Sequence, residues 1–535
     1  MKKVLLLAAW SEDYPERFLP IVQELRKNYP DSALHAVLHK IQIKNTLSEY
    51  GQYGPFPFDQ LTVTTGTQEL RRAVRLCDEY AEVFVFIRHV WVFGDDELFR
   101  EVNNKICNAH YILRNLLSLQ EFIHSGNDQK KRIAHLLHKN KMRDVEIYIK
   151  VYLVTLAARI CLLFSRFLPR AQSNQGKHKI LFMRLDVLGD MVLSLPALLA
   201  LRETYADSEL TVLVSKRSGV LIEEQQRLQP KRFCDRLIFW QASWHTDKER
   251  LQRIGAWFRL VREAMRQYRE AYDLIVQPVD LGTGVVFAVL MRGQRTVAAI
   301  AERLPLARLM RDLVEGVRIA PHTVYHIADL PDWCAQAAGA KDVAAYRHTA
   351  LVVSQEEQRA FARILKQRGY APSQKMVAVN IGAGSPKRLW SVENYALLLS
   401  RLTHNDACFP IVIGGDGELA LWERIASHLE HDVLSCVGKT NLTQLIALLS
   451  LADLVVSPDT GVMHLAAALD KKIVALFGAG LVPFCKPLCS QYRIVKQELG
   501  CSGCGDICFQ EGTPPCISGI TVAMVEEAIS GLLYS

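Results

Sequence analysis

The sequence predicts an α/β protein in which parallel strands are separated by helices. Short apolar runs rich in β-branched residues alternate with helical patterns from one end of the chain to the other, which is typical of parallel sheets. At 535 residues the chain is longer than one hydrophobic core usually serves, so two to four domains are expected. Half of the residues are apolar and 22% are charged, an ordinary globular composition.

An internal repeat indicates that two of these domains share an origin. Residues of the first copy recur in the second at an offset of about 176 positions, without a gap. The matching positions are Leu19-Pro20 and Leu195-Pro196, Leu25-Arg26 and Leu201-Arg202, Tyr29 and Tyr205, Asp31-Ser32 and Asp207-Ser208, and Leu34 and Leu210. At one turn the second copy has Asp186 and Asp190 where the first has Trp10 and Tyr14. Chemistry that depends on this acidic turn is expected in the second copy alone.

The strands predicted from the apolar runs fall into three groups. The first copy has 4–8, 34–38, 61–63 and 83–87, and the second has 180–183, 210–214, 237–240 and 274–277. A third block has 377–381, 410–413, 434–437, 454–457 and 473–477. Helices are predicted over 249–270 and over 521–533, the latter with Thr521 as its cap.

Charge and targeting signals narrow the class of partner. The net charge of +8 and pI near 8.8 favour an acidic partner, such as a phosphorylated substrate or an anionic membrane. No basic motif accompanies this charge, so no nucleic acid is predicted as a partner. The apolar run 4–8 is followed at once by Glu12 and Asp13, which indicates a first strand and not a signal peptide. The protein is therefore expected not to be secreted.

The segment 145–168 between the two copies is long and apolar, but it contains Glu146, Lys150, Arg159 and Arg166. A membrane-spanning helix needs about 20 nearly uncharged residues, so spanning is not expected. Basic residues on both flanks favour a helix lying at an anionic membrane surface. A buried helix that packs the first unit on the second is the alternative.

Two loops of the third block suit a phosphorylated ligand. After the strand that ends at Pro458, Asp459-Thr460-Gly461 forms a turn, and a helix beginning at about Val462 would present backbone N–H groups and its positive end to a phosphate. Alternatively, Asp459 and Thr460 are ordinary helix caps and His464 is a core histidine.

The second loop is rich in glycine and carries two cations, Lys387 and Arg388, that could balance a diphosphate. Its spacing fits neither a P-loop nor a GxGxxG motif, and a solvated surface turn is the alternative. Ser391 is expected to cap the next helix. In the following loop, Asp416 or Glu418 could accept hydrogen bonds from ribose hydroxyls.

The acidic turn and a cysteine cluster complete the candidate sites. Asp190 stands at a helix start after the first strand of the second copy, where it would be either an N-cap worth about 1 kcal/mol or a general base. Cys501, Cys504, Cys508 and Cys516 have spacings that allow structural zinc, but a loop of reduced cysteines fits at least as well, and no metal is predicted.

Together these motifs resemble glycosyltransferase family 9, the ADP-heptose:lipopolysaccharide heptosyltransferases. The resemblance covers about 177–535 and depends on the motifs occurring together in order. They are Arg184-Leu-Asp-x-x-Gly-Asp190 with Leu195-Pro196-Ala197-Leu198, Lys387-Arg388-x-Trp390, Gly414-Gly415, Asp459-Thr460-Gly461-x-Met463-His464, Ala475-Leu476-Phe477-Gly478 and the cysteine pattern. Family members usually have a lysine two residues before the tryptophan, where this chain has Arg388, so either cation is a candidate.

The resemblance implies a GT-B architecture, in which two Rossmann-like domains face each other, here preceded by an extra Rossmann-like N-terminal domain. The expected segments are a degenerate repeat of the acceptor domain (1–128), a linker (129–176), the acceptor domain (177–350) and the nucleotide-sugar domain with its cysteine-rich tail and closing helix (351–535). The resemblance further implies a cytoplasmic protein that is peripheral on the inner membrane. Its partners would be a nucleotide sugar and a lipid-linked saccharide, and no cofactor would be required.

The resemblance also implies roles for individual residues. Asp190 would act as base in an inverting transfer of a sugar, with ADP-heptose as the expected donor, and Lys387 or Arg388 would hold the diphosphate. Arg184, Asp186 and Gly189 would lie on the acceptor side. The donor-side residues would be Gly382, Ser385, Asp416, Glu418, Asp459, Thr460, Gly461, Met463 and His464. A transferase for another nucleotide sugar, a sugar-nucleotide epimerase and a non-catalytic sugar-nucleotide-binding protein are the alternatives.

Overall fold

The computed structural model describes five N-terminal strand segments and most of the chain from residue 177 onward. The described ranges are 3–10, 33–40, 60–64, 82–87, 111–113 and 177–534, the last with gaps at 231, 241–261, 265, 268–269, 280–281, 302–313, 320–324, 349–350 and 498–512. The predicted segment 145–168, most of the predicted helix 249–270, and Cys501, Cys504 and Cys508 lie outside these ranges. Across the described part, no helix is long and apolar enough to cross a bilayer.

The N-terminal segments form a five-stranded parallel sheet in the order β3-β2-β1-β4-β5. Its strands are β1 (Lys3–Trp10), β2 (Ala33–Lys40), β3 (Gln60–Thr64), β4 (Glu82–Ile87) and β5 (Tyr111–Leu113). The four strands predicted here are confirmed, and the three-residue β5 was not predicted.

The middle unit contains a six-stranded parallel sheet in the order β11-β10-β9-β6-β7-β8. Its strands are β6 (Lys179–Arg184), β7 (Glu209–Val214), β8 (Arg236–Phe239), β9 (Leu274–Gln277), β10 (Arg295–Ala301) and β11 (Glu315–Ile319). Its helices are α1 (Leu188–Thr204), α2 (Lys216–Leu228), α3 (Gly282–Leu290) and α4 (Asp329–Ala337). The central β9 is buried along its whole length, as expected for a parallel sheet covered on both faces.

The C-terminal unit repeats this plan with a six-stranded parallel sheet in the order β14-β13-β12-β15-β16-β17. Its strands are β12 (Lys375–Asn380), β13 (Cys408–Ile413), β14 (Leu434–Ser435), β15 (Leu454–Pro458), β16 (Lys472–Phe477) and β17 (Tyr492–Lys496). Its helices are α5 (Gln355–Gln367), α6 (Val392–Thr403), α7 (Leu419–Ala426), α8 (Leu442–Leu451), α9 (Gly461–Ala468), α10 (Val482–Cys485), α11 (Pro515–Ser518) and α12 (Val522–Leu533). Thr521 caps α12 by accepting the Met524 N–H, as predicted.

Both six-stranded sheets follow the doubly wound order 3-2-1-4-5-6 when the strands of each unit are numbered along the chain. The first and fourth strands, β6 with β9 and β12 with β15, are therefore neighbours from which the chain leaves in opposite directions. Ligands of open α/β sheets bind beyond the carboxyl ends of this pair. A ligand-binding site is therefore expected at the turns after β6, β12 and β15.

The repeat seen in the sequence extends to backbone pairing. In the N-terminal sheet Lys3 pairs with Ala33, and in the middle sheet Lys179 pairs with Glu209. The next strand pair shows the same correspondence, with His35 opposite Gln60 and Thr211 opposite Arg236. The first three strands of both sheets therefore have one register as well as one order.

The middle and C-terminal units share an apolar core. One cluster of buried side chains includes Leu198 and Ala335 from the middle unit and Leu449 and Met463 from the C-terminal unit. Buried Gln225 of α2 adds a polar tie, because its amide exchanges two hydrogen bonds with the backbone of Val352, at 2.6 and 3.0 Å. The two units therefore meet through packed side chains around the candidate site.

Candidate active site

The N-terminal ends of α1 and α9 meet where the two units face each other. A Cβ atom added to Gly189 would lie 3.1 Å from His464 Cδ2 and 3.2 Å from the Gly461 Cα. A Cβ atom added to Gly461 would lie 3.2 Å from the Gly189 backbone N. Glycine at both positions therefore allows the backbones of the two helix starts to approach closely. Asp190 and the predicted phosphate site are brought into one cleft.

The acidic turn of the middle unit is organised by Arg184, whose side chain is only 1% exposed. Its Nη2 lies 3.4 Å from Asp190 Oδ1, and its Nε lies 3.4 Å from Asp186 Oδ2. The remaining Nη1 donates to the Pro278 carbonyl at the end of β9. One buried guanidinium thus holds both carboxylates of the turn beside the first and fourth strands.

Asp190 is the third residue of α1, and Val187 occupies the N-cap position. The alternative that Asp190 is the N-cap is therefore wrong in position, although its Oδ2 accepts the Val187 N–H at 3.4 Å. The Asp190 side chain remains 18% exposed. The Asp190 carboxylate is therefore partly accessible while Arg184 is paired with it.

Buried Asn380 joins the loops that follow β12 and β15 at their bases. Its Nδ2 donates to Ser457 Oγ at 3.0 Å and to Thr460 Oγ1 at 3.1 Å, linking the ends of β12 and β15. Its Oδ1 accepts the Gly382 N–H at 3.2 Å. Sequence reasoning missed Asn380 as a site residue, although an asparagine at the end of a buried apolar strand was the available signal.

Thr460 is the N-cap residue of α9, but its side chain does not cap the helix. Its hydroxyl is used by Asn380 and Ser457 instead. The alternative that Thr460 caps α9 through its side chain is therefore wrong, and Asp459 precedes the N-cap position. The positive end of α9 is left for a different acceptor, which is the arrangement that favours anion binding.

Buried Asp459 orients the cation that follows the glycine-rich loop. Its Oδ2 accepts from Arg388 Nη1 at 3.1 Å and from Cys485 Sγ at 3.3 Å, and its carbonyl accepts from Arg388 at 3.3 Å. Burial raises the pKa of the Cys485 thiol, and the Asp459 charge adds to this effect. Cys485 therefore acts as a neutral hydrogen-bond donor that helps hold the Asp459 carboxylate.

The predicted cationic loop forms a short 3-10 turn, Pro386–Arg388, in which Ser385 Oγ accepts the Lys387 N–H. Lys387 is half-buried, as is Arg388. Ser391 caps α6 through the Asn394 N–H at 3.1 Å, as predicted. Arg388 thus lies at the end of β15, where it contacts Asp459, and Lys387 precedes it in the same turn.

The two acidic candidates of the next loop differ in environment. Glu418 Oε2 accepts the Gly415 N–H at 2.8 Å, and a Cβ atom on Gly382 would lie 3.1 Å from Glu418 Cδ. Asp416 is exposed in the Asp416–Glu418 turn. Glu418 therefore lies between the two glycine loops, while Asp416 is exposed and lies near Gly438.

Two histidines are buried at the junction of the units. The His464 side chain has no hydrogen-bond partner for Nδ1 among the described residues, and burial, reinforced by nearby His326, lowers its pKa to about 3. His326 Nδ1 accepts the Ala328 N–H, and its Nε2 donates to the Lys486 carbonyl at 2.8 Å. Both imidazoles are neutral at pH 7. Met463, predicted on the donor side, has its side chain in the apolar core.

Comparison with known proteins identifies a family to which part of this chain is similar. Residues 290–511 match glycosyltransferase family 9 (heptosyltransferase). This part of the chain is therefore similar to the family 9 glycosyltransferases. This confirms the resemblance seen in the motifs after residue 290. The acidic turn at 186–190 lies outside the matched range, so its assignment depends on the geometry of the cleft.

Two curated relatives and one solved structure extend the family 9 comparison. Lipopolysaccharide heptosyltransferase 2 of Salmonella typhimurium is 29% identical over 119 residues, 22% of this chain and 34% of the relative. The Escherichia coli protein of the same name is 29% identical over 153 residues, 28% of this chain and 43% of the relative. A family 9 glycosyl transferase from Veillonella parvula has a similar fold, with a TM-score of 0.51 and 20% identity over 68% of this chain and 99% of that chain.

The matched region spans less than half the length of these curated relatives. The Veillonella structure supports the predicted pair of facing Rossmann-like units, since nearly its whole length is covered. About a third of this chain lies beyond that likeness.

Proposed function

We propose that this protein is an inverting glycosyltransferase that moves heptose from ADP-heptose onto a lipid-linked saccharide in the synthesis of lipopolysaccharide core or a related surface glycan. One observation carries the proposal: the start of α1, with Asp190, meets the start of α9 across the cleft. A base and an anion site on opposite walls are what this transfer requires. The names of the two curated relatives support the sugar and the glycan.

The proposed reaction uses the cleft in a single displacement. The Asp190 carboxylate takes the proton of an acceptor hydroxyl, whose oxygen attacks the anomeric carbon of the bound donor. A new carbon–oxygen bond forms as the bond from the anomeric carbon to the diphosphate breaks, and its electron pair leaves with the diphosphate. Attack from the face opposite the leaving group inverts the configuration.

The departing diphosphate is proposed to bind on the C-terminal wall. The start of α9 offers backbone N–H groups and a positive dipole end, and Lys387 and Arg388 offer positive charge. Arg388 is held by Asp459, which fixes its direction but also shares its charge. Both Lys387 and Arg388 therefore stay candidates for the cation that balances the diphosphate. Glu418, between the glycine loops, is placed to meet the nucleoside.

Two further proposals concern the location of the enzyme and the role of residues 1–128. A lipid-linked acceptor would place the enzyme at the cytoplasmic face of the inner membrane, where its net charge of +8 would favour anionic lipid. The first repeat, lacking the acidic turn, is proposed to be a degenerate acceptor-type domain that helps in acceptor handling or membrane docking.

Product analysis tests the proposed function. The protein is incubated with a panel of ADP- and UDP-sugars, with and without a lipid-linked core saccharide, and products are followed by mass spectrometry. We expect ADP-heptose to yield ADP together with an acceptor heavier by one heptose. Transfer from a different donor would correct the sugar. Binding of donors without turnover of any would contradict a transferase and favour a non-catalytic binding protein, and an epimerised donor would favour an epimerase.

A further inference from the structure

Three metal-ligating side chains meet on the C-terminal unit, away from the candidate active site. His404 directly follows α6, and Glu430 and His431 lie between α7 and β14. One potential ligand atom from each lies within 4.8 Å of the others. We propose that His404, Glu430 and His431 bind a divalent transition metal, with zinc as the ion of choice.

The orientation of His404 favours metal binding. Its Nδ1 lies 2.7 Å from the Ser400 carbonyl oxygen, which can only accept a hydrogen bond. Nδ1 therefore carries the hydrogen, and Nε2 carries the lone pair that a metal needs. Metal-binding histidines commonly use a backbone carbonyl in this way to set the tautomer and the direction of the ring.

The second imidazole lies close to the first without stacking on it. The His404 and His431 ring centroids are 4.9 Å apart, and the ring planes are inclined by 63°. Ligand atoms about 2.0–2.2 Å from a tetrahedral zinc are about 3.4 Å from one another. All three side chains are exposed, so small rotations can close the remaining distance without disturbing the core.

The donor set selects the class of ion. Two imidazoles and one carboxylate suit zinc, nickel or copper, whereas magnesium and calcium prefer oxygen ligands. Three protein ligands leave a fourth position for water.

The position of the three ligands indicates a structural and not a catalytic role. His404 precedes β13 and His431 precedes β14, so the cluster lies at the amino ends of the strands. The candidate active site lies at the carboxyl ends. A bound ion would join the end of α6 to the segment before β14 and stabilise the C-terminal unit.

The test compares zinc binding by full-length variants without a histidine tag, after treatment with a chelator. The variants are His404→Ala, His431→Ala and the near-isosteric Glu430→Gln. His428→Ala is the matched control, because His428 is an exposed histidine of the same segment whose Nδ1 is bonded to the Arg424 carbonyl and which is not one of the three ligands. Calorimetric titration with zinc gives stoichiometry and Kd, and titration with magnesium is the control for ion class.

We expect the wild type and His428→Ala to bind one more zinc equivalent than the two alanine variants, or to bind it at least about tenfold more tightly. Zinc should also raise the Tm of the wild type and of His428→Ala by more than that of Glu430→Gln. Any zinc held elsewhere, for example by the cysteine cluster, cancels in this comparison. Equal stoichiometry, Kd and Tm shift in all five proteins would overturn the proposal.

Discussion

Arg184 is buried at the end of β6 and carries a full positive charge, which is costly unless the charge is paired. Asp186 and Asp190 supply that pairing from the turn that follows. The acidic turn could be predicted from the sequence because all three residues lie within seven positions. What could not be predicted was that one guanidinium holds both acids, because this depends on the packing of β6 against β9.

Asp459 pairs with Arg388, one of the two candidate cations for the diphosphate. Asp459→Asn keeps the size of the side chain but removes the charge that pairs with Arg388 inside a largely buried site. We expect the free energy of unfolding to fall by about 1–3 kcal/mol, measured by urea titration. Asp416→Asn, an exposed acid of the same unit, should change it by less than about 0.5 kcal/mol. Equal values for both variants would show that the Asp459–Arg388 pair adds no stability.

His464 should make the fold sensitive to acid. Its pKa is about 3 in the folded protein, mainly because of burial, and the pKa of an unfolded histidine is about 6.5. Between these values the unfolded chain binds a proton that the folded chain does not, so stability is lost as pH falls below about 6.5. From pH 7 to 5 we expect the wild type to lose about 2 kcal/mol more than His464→Gln in urea titrations.

Asp332 supplies a control of opposite sign. Burial outweighs its pairing with Arg347 and raises the Asp332 pKa to about 6. Here the folded chain takes up the proton first, so this group adds stability as pH falls from about 6 towards 4. Asp332→Asn should therefore steepen the loss of stability in acid, whereas His464→Gln should reduce it. Parallel pH profiles for both variants and the wild type would contradict these assignments.

At the scale of elements, the contact between α1 and α9 places Asp190, the proposed base, beside the proposed anion site. Gly461→Ala would put a methyl group 3.2 Å from the Gly189 backbone N, which cannot move aside without shifting a helix. We expect the helices to separate by a few tenths of an ångström and turnover to fall at least about tenfold. Gly417→Ala is the matched control, because its added Cβ meets nothing within 4 Å. Steady-state kinetics compares the two, and equal turnover would argue against a close contact.

Several strands that were predicted from the sequence are buried along their length, whereas two of the strands that were missed are only partly buried. Strands such as β9 and β15 are buried along their length, so their apolar runs are easily read. The edge strands β11 and β17 bury fewer residues and therefore show mixed patterns. The strand β10 was missed because it contains three alanines, which favour strands weakly.

At the scale of the whole molecule, the order of the units along the chain could be predicted from the sequence, but the contacts between them could not. The internal repeat indicated the first two units, and the motifs after residue 375 indicated the third. The approach of Gly189 to Gly461 joins residues far apart in the chain, and no local pattern encodes it. The same holds for the bonds between Gln225 and Val352 and for the pairing of Asn380 with Thr460.

Removing the first repeat should separate catalysis from acceptor handling. A fragment of residues 177–535 contains both walls of the cleft and both six-stranded sheets. We expect it to transfer sugar to a detergent-dispersed acceptor at a rate near that of the full chain, and to be slower on acceptor in anionic vesicles. Equal rates on vesicles would remove the proposed docking role of residues 1–128. Loss of activity on both acceptors would assign the first repeat a part in the cleft itself.

The most direct test of Asp190 as the base is the turnover of Asp190→Asn at saturating donor and acceptor, with donor affinity measured alongside. We predict that kcat falls at least about a hundredfold while the donor Kd changes little, because the amide cannot take the acceptor proton. Asp186→Asn, which loses a carboxylate paired with the same arginine, should have a much smaller effect. Unchanged turnover in Asp190→Asn, or an equal loss in both variants, would contradict Asp190 as the base.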